Sequence, residues 1–154
     1  RARRIQARIL KLPRGTATPR DRGAIHAERV SLPAQTLVAA LLKITPSNND
    51  CARALDWLRQ WNFQIDRDQV QPTIYAQTRQ LLGHRIANHL FGDNARVLLA
   101  QAGGENHWRL IHIEAELALR NDDTSLLAAG ETWSDALAVA LSAAIIQLKE
   151  TPLL

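Results

Sequence analysis

Residues 61–82, WNFQIDRDQVQPTIYAQTRQLL, decide how this chain is read. Trp57 stands one helical turn before Trp61 and closes an apolar helix, Asp66 and Asp68 mark a polar break, and Ile74, Tyr75, Leu81 and Leu82 lie in a second apolar helix. The pattern is helix, polar turn, helix. Either Asp66 or Asp68 can cap the second helix, because a carboxylate there accepts from the free N–H groups of the first turn and complements the helix dipole. Pro72 is tolerated only in the first turn, where its missing N–H costs nothing, so the helix should begin close to Asp68. Trp57 and Trp61 are expected to pack the hairpin together. The stretch holds no group suited to reaction chemistry, and the capping role accounts for its paired aspartates more simply than acid–base work does.

Working toward the N-terminus, Leu55 and Leu58 share a side with Trp61, and Thr45 to Asp50 (TPSNND) is a polar loop that ends in an N-cap. Leu37, Val38, Leu41 and Leu42 form a buried stripe after a restart at Ser31-Leu32-Pro33. Thr18, with Pro19 next and Asp21 three residues on, is a helix start of the capping-box kind. The first helix carries Arg1, Arg4 and Arg8 on one face and Ile5, Ile9 and Leu12 on another, and should end near Pro13 to Gly15.

Toward the C-terminus the second helix runs through Ile86 and Leu90 to Gly92, with Gly83 a weak point inside it. Residues 94–102 read as helical, whereas Trp108 to Ile113 alternates enough to permit an extended segment as well as a helix. A last helix opens at Thr132 with Asp135 three residues later and repeats Leu137, Leu141, Ile145 and Leu148 before Pro152.

Composition bounds the function. A chain of 154 residues is one ordinary domain that can hold a core of its own, and no linker or repeat divides it. No apolar run approaches the ~20 residues of a membrane span, which indicates a soluble protein with no membrane partner. The N-terminal residues lack the long apolar stretch and cleavage site of a signal peptide, and with no Met in the chain a processed piece or fragment is the expectation. The net charge of +4 is local: residues 1–30 carry nine Arg or Lys against Asp21 and Glu28, a balance of +7 that leaves −3 for the remainder. An amphipathic basic helix without interleaved aromatics or a recognition motif argues against nucleic acid.

The candidate reactive groups are poor ones. His26, His84, His89, His107 and His112 make no metal-binding spacing, and Cys51 alone excludes the common thiolate zinc sites. Cys51 reads as a core thiol, since nothing nearby in sequence would lower its pKa. Gly103-Gly104 lacks the surrounding pattern of a phosphate loop.

Three stretches in order carry a resemblance. They are RARRIQARILKLPRGTATPRDRGAIHAERVSLPAQTLVAALL, then LDWLRQWNFQIDRDQVQPTIYAQTRQLL, then ETWSDALAVALSAAIIQLKE. They match an R-I helix followed by T-x-x-D and a helix into SL, an L-x-x-W-N-F ending followed by D-x-D-Q and I-Y four residues on, and a T-x-x-D-x-L-x-x-A-L helix. In this order they resemble part of the β chain of the penicillin acylase (penicillin amidase) family of N-terminal nucleophile hydrolases. The likeness covers nearly the whole chain and is thinnest over residues 93–130. Gln69, where a small residue is usual, and Trp133 depart from the pattern.

The resemblance implies a mainly α fold: residues 1–154 are a single helical segment belonging to a larger αββα N-terminal nucleophile hydrolase. It implies an amidohydrolase of the penicillin or acyl-homoserine lactone acylase type, acting on linear amides through an N-terminal serine activated by its own α-amino group. That serine and the asparagine of the oxyanion hole are expected outside these residues, and Ser47-Asn48, internal and in a loop, is a decoy for the family's Ser-Asn start. The family's arginine followed by an aliphatic residue, close to the active serine, matches Arg4-Ile5, with Arg3 as the fallback. A solvated arginine on a basic helix is the competing description of Arg4. No cofactor is implied for this segment, although calcium is often bound in the family and would belong to the parent. The implied partners are the remainder of the acylase α and β chains and a small-molecule amide substrate, and the implied location is periplasmic or secreted. The alternative from another class is a stand-alone helical binding or scaffold module whose basic first helix meets an acidic partner.

Overall fold

The computed structural model describes residues 2–12, 14–101 and 103–150, with side chains from Arg4 onward. In chain order the helices are α1 (Ala2–Ile9), α2 (Pro19–His26), α3 (Leu32–Leu41), α4 (Asn49–Arg59), α5 (Gln71–Phe91), α6 (Asn94–Ala100), α7 (Gly104–Arg120) and α8 (Trp133–Glu150). Among the described residues there is no strand, and an isolated antiparallel bridge joins Val30 to Gln64. The mainly α class read from the sequence is therefore the observed one.

The axis is α5, which packs on α8 and α7 and also touches α3, α4 and α6. Ile74, Tyr75, Leu82, Ile86 and Ala87 bury one side of it, while Leu137, Ala140 and Leu141 of α8 and Leu37, Val38 and Leu41 of α3 complete the same core. Pro72 is the second residue of α5 and so sits in the first turn. The aspartates before it do not cap the helix: Val70 holds the N-cap position with no side-chain cap bond, and the N–H groups of Thr73 and Ile74 donate to its carbonyl at 3.1 Å. One extra turn, closed by Gln69 N–H to the Asp66 carbonyl at 3.4 Å, places both carboxylates too early in the chain to reach the helix end. Asp66 faces Arg29 at 3.6 Å instead.

Only one of the two tryptophans packs the hairpin. Because α4 ends at Arg59, the chain leaves helical spacing before Trp61, which turns inward to 4% exposure beside Phe63 and Tyr75 and donates its indole N–H to the Gln64 carbonyl at 2.9 Å. Trp57 stays on the outer face at 38% exposure, with the Arg53 guanidinium 5.4 Å from its ring.

Trp108 to Ile113 is helical, not extended. Ile111, Ala115 and Ala118 recur at helical spacing on the buried side of α7, and the apparent alternation arises because Leu110, Ile113 and Leu117 are left exposed on the other side. The cap signals at Thr18, Ser31, Asn48 and Thr132 do what their chemistry suggests. Thr18 and Asp21 form a reciprocal box, Ser31 and Asn48 accept from Ala34 N–H and Cys51 N–H, and Thr132 exchanges bonds with Asp135.

Candidate functional site

The Val30–Gln64 bridge fixes the place where charge gathers. Ser31 N–H donates to the Phe63 carbonyl at 2.9 Å and Ile65 N–H to the Arg29 carbonyl at 3.1 Å, so the segment entering α3 is stitched to the segment leaving Trp61. Glu28 stands just before this bridge, and Arg4 and Arg8 of α1 reach its carboxylate. Arg4 donates from Nη2 to Glu28 Oε2 at 3.0 Å, and Arg8 Nε lies 3.4 Å from the same oxygen. The second carboxylate oxygen, Oε1, accepts from Val30 N–H at 3.4 Å.

The helix that sequence periodicity describes as amphipathic is thus turned about. Its arginine face meets the protein through Glu28, whereas Ile9 is more than half exposed and Ile5 only partly covered. Arg1 lies outside the described residues, as does the side chain of Arg3. Arg4 borders two open clefts. One, of about 460 Å³, has Ile5, Ile25, Val30, Leu32 and Ile65 in its walls, and the other, of about 430 Å³, is lined by more polar groups including Arg8, Gln64 and Asp66. The arrangement offers a fixed positive charge beside an apolar recess, suited to holding or polarising an acceptor oxygen rather than to attacking a carbonyl. Ser31, in the wall of the apolar cleft, accepts from Ala34 N–H as a helix cap, so its hydroxyl is already engaged.

The other candidates have structural employment. Asn48 caps α4, and Ser47 donates to Cys51 Sγ at 3.4 Å. Cys51 is buried in the core. Gly103 has a left-handed φ of 88°, and a Cβ on Gly104 would fall 2.1 Å from the Leu99 carbonyl oxygen, so this pair makes the tight turn between α6 and α7. The histidines are dispersed except for His84 and His112, which flank the ring of Trp108 at centroid distances of 4.4 and 5.5 Å. Burial, followed by the nearby charges of Arg79 and His84, pushes His112 down to about 4, and burial likewise lowers His84. Among the described residues no group of three or more His, Cys, Asp or Glu side chains is arranged to hold a metal ion, and no helix is long and apolar enough to cross a membrane.

Sequence reasoning passed over Glu28. The signal was the charge count: of the two acids in the basic opening, Asp21 is explained by the Thr18 cap, which leaves Glu28 without a stated role.

The Penicillin amidase family model matches residues 1–153. No protein of curated function matches the chain.

Proposed function

Since the chain belongs to the penicillin amidase family, a family of amide-bond hydrolases, we propose that it is a helical segment of an acylase β chain packed against the αββα body of an N-terminal nucleophile hydrolase. The order of the three stretches along the chain supports this reading, together with a family match that spans it almost end to end. In the proposed reaction the α-amino group of an N-terminal serine takes the proton of that residue's hydroxyl. The serine oxygen then bonds to the amide carbonyl carbon, and the carbon–nitrogen bond breaks as the amine leaves with the proton. Water hydrolyses the resulting ester and returns the free serine.

Serine and oxyanion donors are assigned to parts of the enzyme outside residues 1–154, and Arg4 is assigned to the edge of the active site. The observation that carries the Arg4 assignment is its place between two clefts with its guanidinium oriented by a carboxylate. Its positive charge supports the electrostatics around the developing oxyanion. The acyl group and leaving amine are of the small-molecule kind that the family handles, and export to the periplasm or medium follows from the same reading. The alternative of a scaffold module reaching an acidic partner through α1 has less behind it, because Arg4 and Arg8 already face Glu28.

The test is Arg4→Ala in the full-length enzyme. Turnover should fall roughly 100-fold, as for the loss of one charge or donor at an oxyanion site, while the melting temperature moves only a few degrees. Wild-type turnover in that variant would remove Arg4 from the site.

A further inference from the structure

We infer that Glu28 is the positioning residue that sets the orientation of the Arg4 guanidinium toward the clefts it borders. This rests on the reading of Arg4 as an active-site residue. Glu28 is well placed for the task. Its side chain is 13% exposed, one oxygen takes both Arg4 and Arg8, and the other is held by the backbone of the bridged segment at Val30. The carboxylate therefore connects α1 to the Val30–Gln64 bridge, and among the described residues α1 packs mainly on α2.

Nη2 is committed to Glu28, and because a guanidinium is planar, fixing Nη2 fixes the plane of the whole group and so the direction of its charge. The two arginines and one carboxylate sum to a single positive charge, so the triad favours an oxygen that is anionic or becomes so. Removing Glu28 would release the guanidinium into either of two open clefts and lose that direction, with no group in contact with substrate being altered.

Steady-state kinetics on the full-length enzyme decide the matter, with a chromogenic acyl nitroanilide as substrate and Arg4→Ala, Glu28→Gln, Glu28→Asp and the Arg4→Ala/Glu28→Gln pair as variants. Glu28→Gln is expected to lower kcat about 10- to 100-fold, the range for a misplaced group near the chemistry, with KM within about twofold. Glu28→Asp should recover most of the loss. The double variant should be no slower than Arg4→Ala, since Glu28 acts only through Arg4. A collapse in Arg4→Ala with wild-type kcat in Glu28→Gln, or losses that multiply in the double variant, overturns the inference and leaves the Arg4 assignment standing. Wild-type kcat in Arg4→Ala overturns both. If Glu28→Gln fails to fold, Glu28→Ala compared with Arg8→Ala replaces it. A kcat loss in Glu28→Ala that Arg8→Ala does not share fits positioning, and wild-type kcat in Glu28→Ala or equal losses in the two overturns it.

Discussion

Gly83 of α5 lies so close to His112 of α7 that a Cβ on Gly83 would come 2.7 Å from His112 Cε1 and 2.8 Å from Trp108 Cζ3. The weak point that helix propensity identifies is a packing requirement, with the absent methyl making room for two rings. Alanine at this position gains about 1 kcal/mol of helix propensity but overpacks the α5–α7 contact at a cost of about 1–3 kcal/mol. Gly83→Ala is therefore expected to lower the urea midpoint, whereas Gly23→Ala in α2, where a Cβ meets nothing within 4 Å, should raise stability by about 0.5–1 kcal/mol. A stabilised Gly83→Ala would show that the rings do not pack there.

His112 should make stability depend on pH. Its folded value of about 4 lies below the ordinary 6.5, so between those values the unfolded chain takes up a proton that the folded chain refuses. Stability is then fully present above about pH 6.5 and declines as pH falls toward 4. The ring is only partly buried, and after allowance for solvent screening the loss is about 1–2 kcal/mol. His112→Phe keeps a ring beside Trp108 and removes the titration. Denaturant unfolding of both proteins from pH 7 to pH 4 should show the wild type losing stability relative to the variant, and parallel curves would rule the effect out.

The capping assignments separate two threonine and aspartate sites that look alike in sequence. Thr132 exchanges bonds with Asp135 at the start of α8, so Thr132→Ala should cost about 1 kcal/mol. Asp68, exposed and not bonded to the start of α5, should tolerate alanine within about 0.5 kcal/mol. Thermal melts of the two variants check the contrast, and a larger loss at Asp68 would restore it as a cap.

Thr78 is fully buried in α5 and its hydroxyl has no hydrogen-bond partner among the described residues. Valine has nearly the same shape and removes the stranded hydroxyl. Thr78→Val should leave stability unchanged or raise it by up to about 1 kcal/mol, and a clear loss in equilibrium unfolding would indicate that the hydroxyl is satisfied.

What could be read from the sequence was whatever is set by neighbours in the chain. Thr18, Ser31, Asn48 and Thr132 act through the residue three positions on, and Pro72 limits its own helix, so those boundaries followed from local chemistry. Asp66 and Asp68 misled because a cap depends on where the helix begins, and the turn ending at Val70 delays that start. Trp57 misled because helical spacing was carried past Arg59, where α4 ends. Of the site, Arg4 came from family resemblance, and nothing local to it marked it out. Glu28 lies 24 residues away and meets it only when α1 is brought back beside the residues that follow α2. The His84–Trp108–His112 stack likewise needs α5 and α7 side by side before it exists.

The proposed function puts the nucleophile on an N-terminal serine outside residues 1–154. The most direct measurement is to inactivate the full-length enzyme with a serine-directed sulfonyl fluoride and locate the adduct by peptide mass spectrometry. One adduct on the N-terminal serine of the β chain, formed in step with the loss of amidase activity, is the predicted result. An inactivating adduct on Ser31, Ser47 or any other residue of this segment would contradict it.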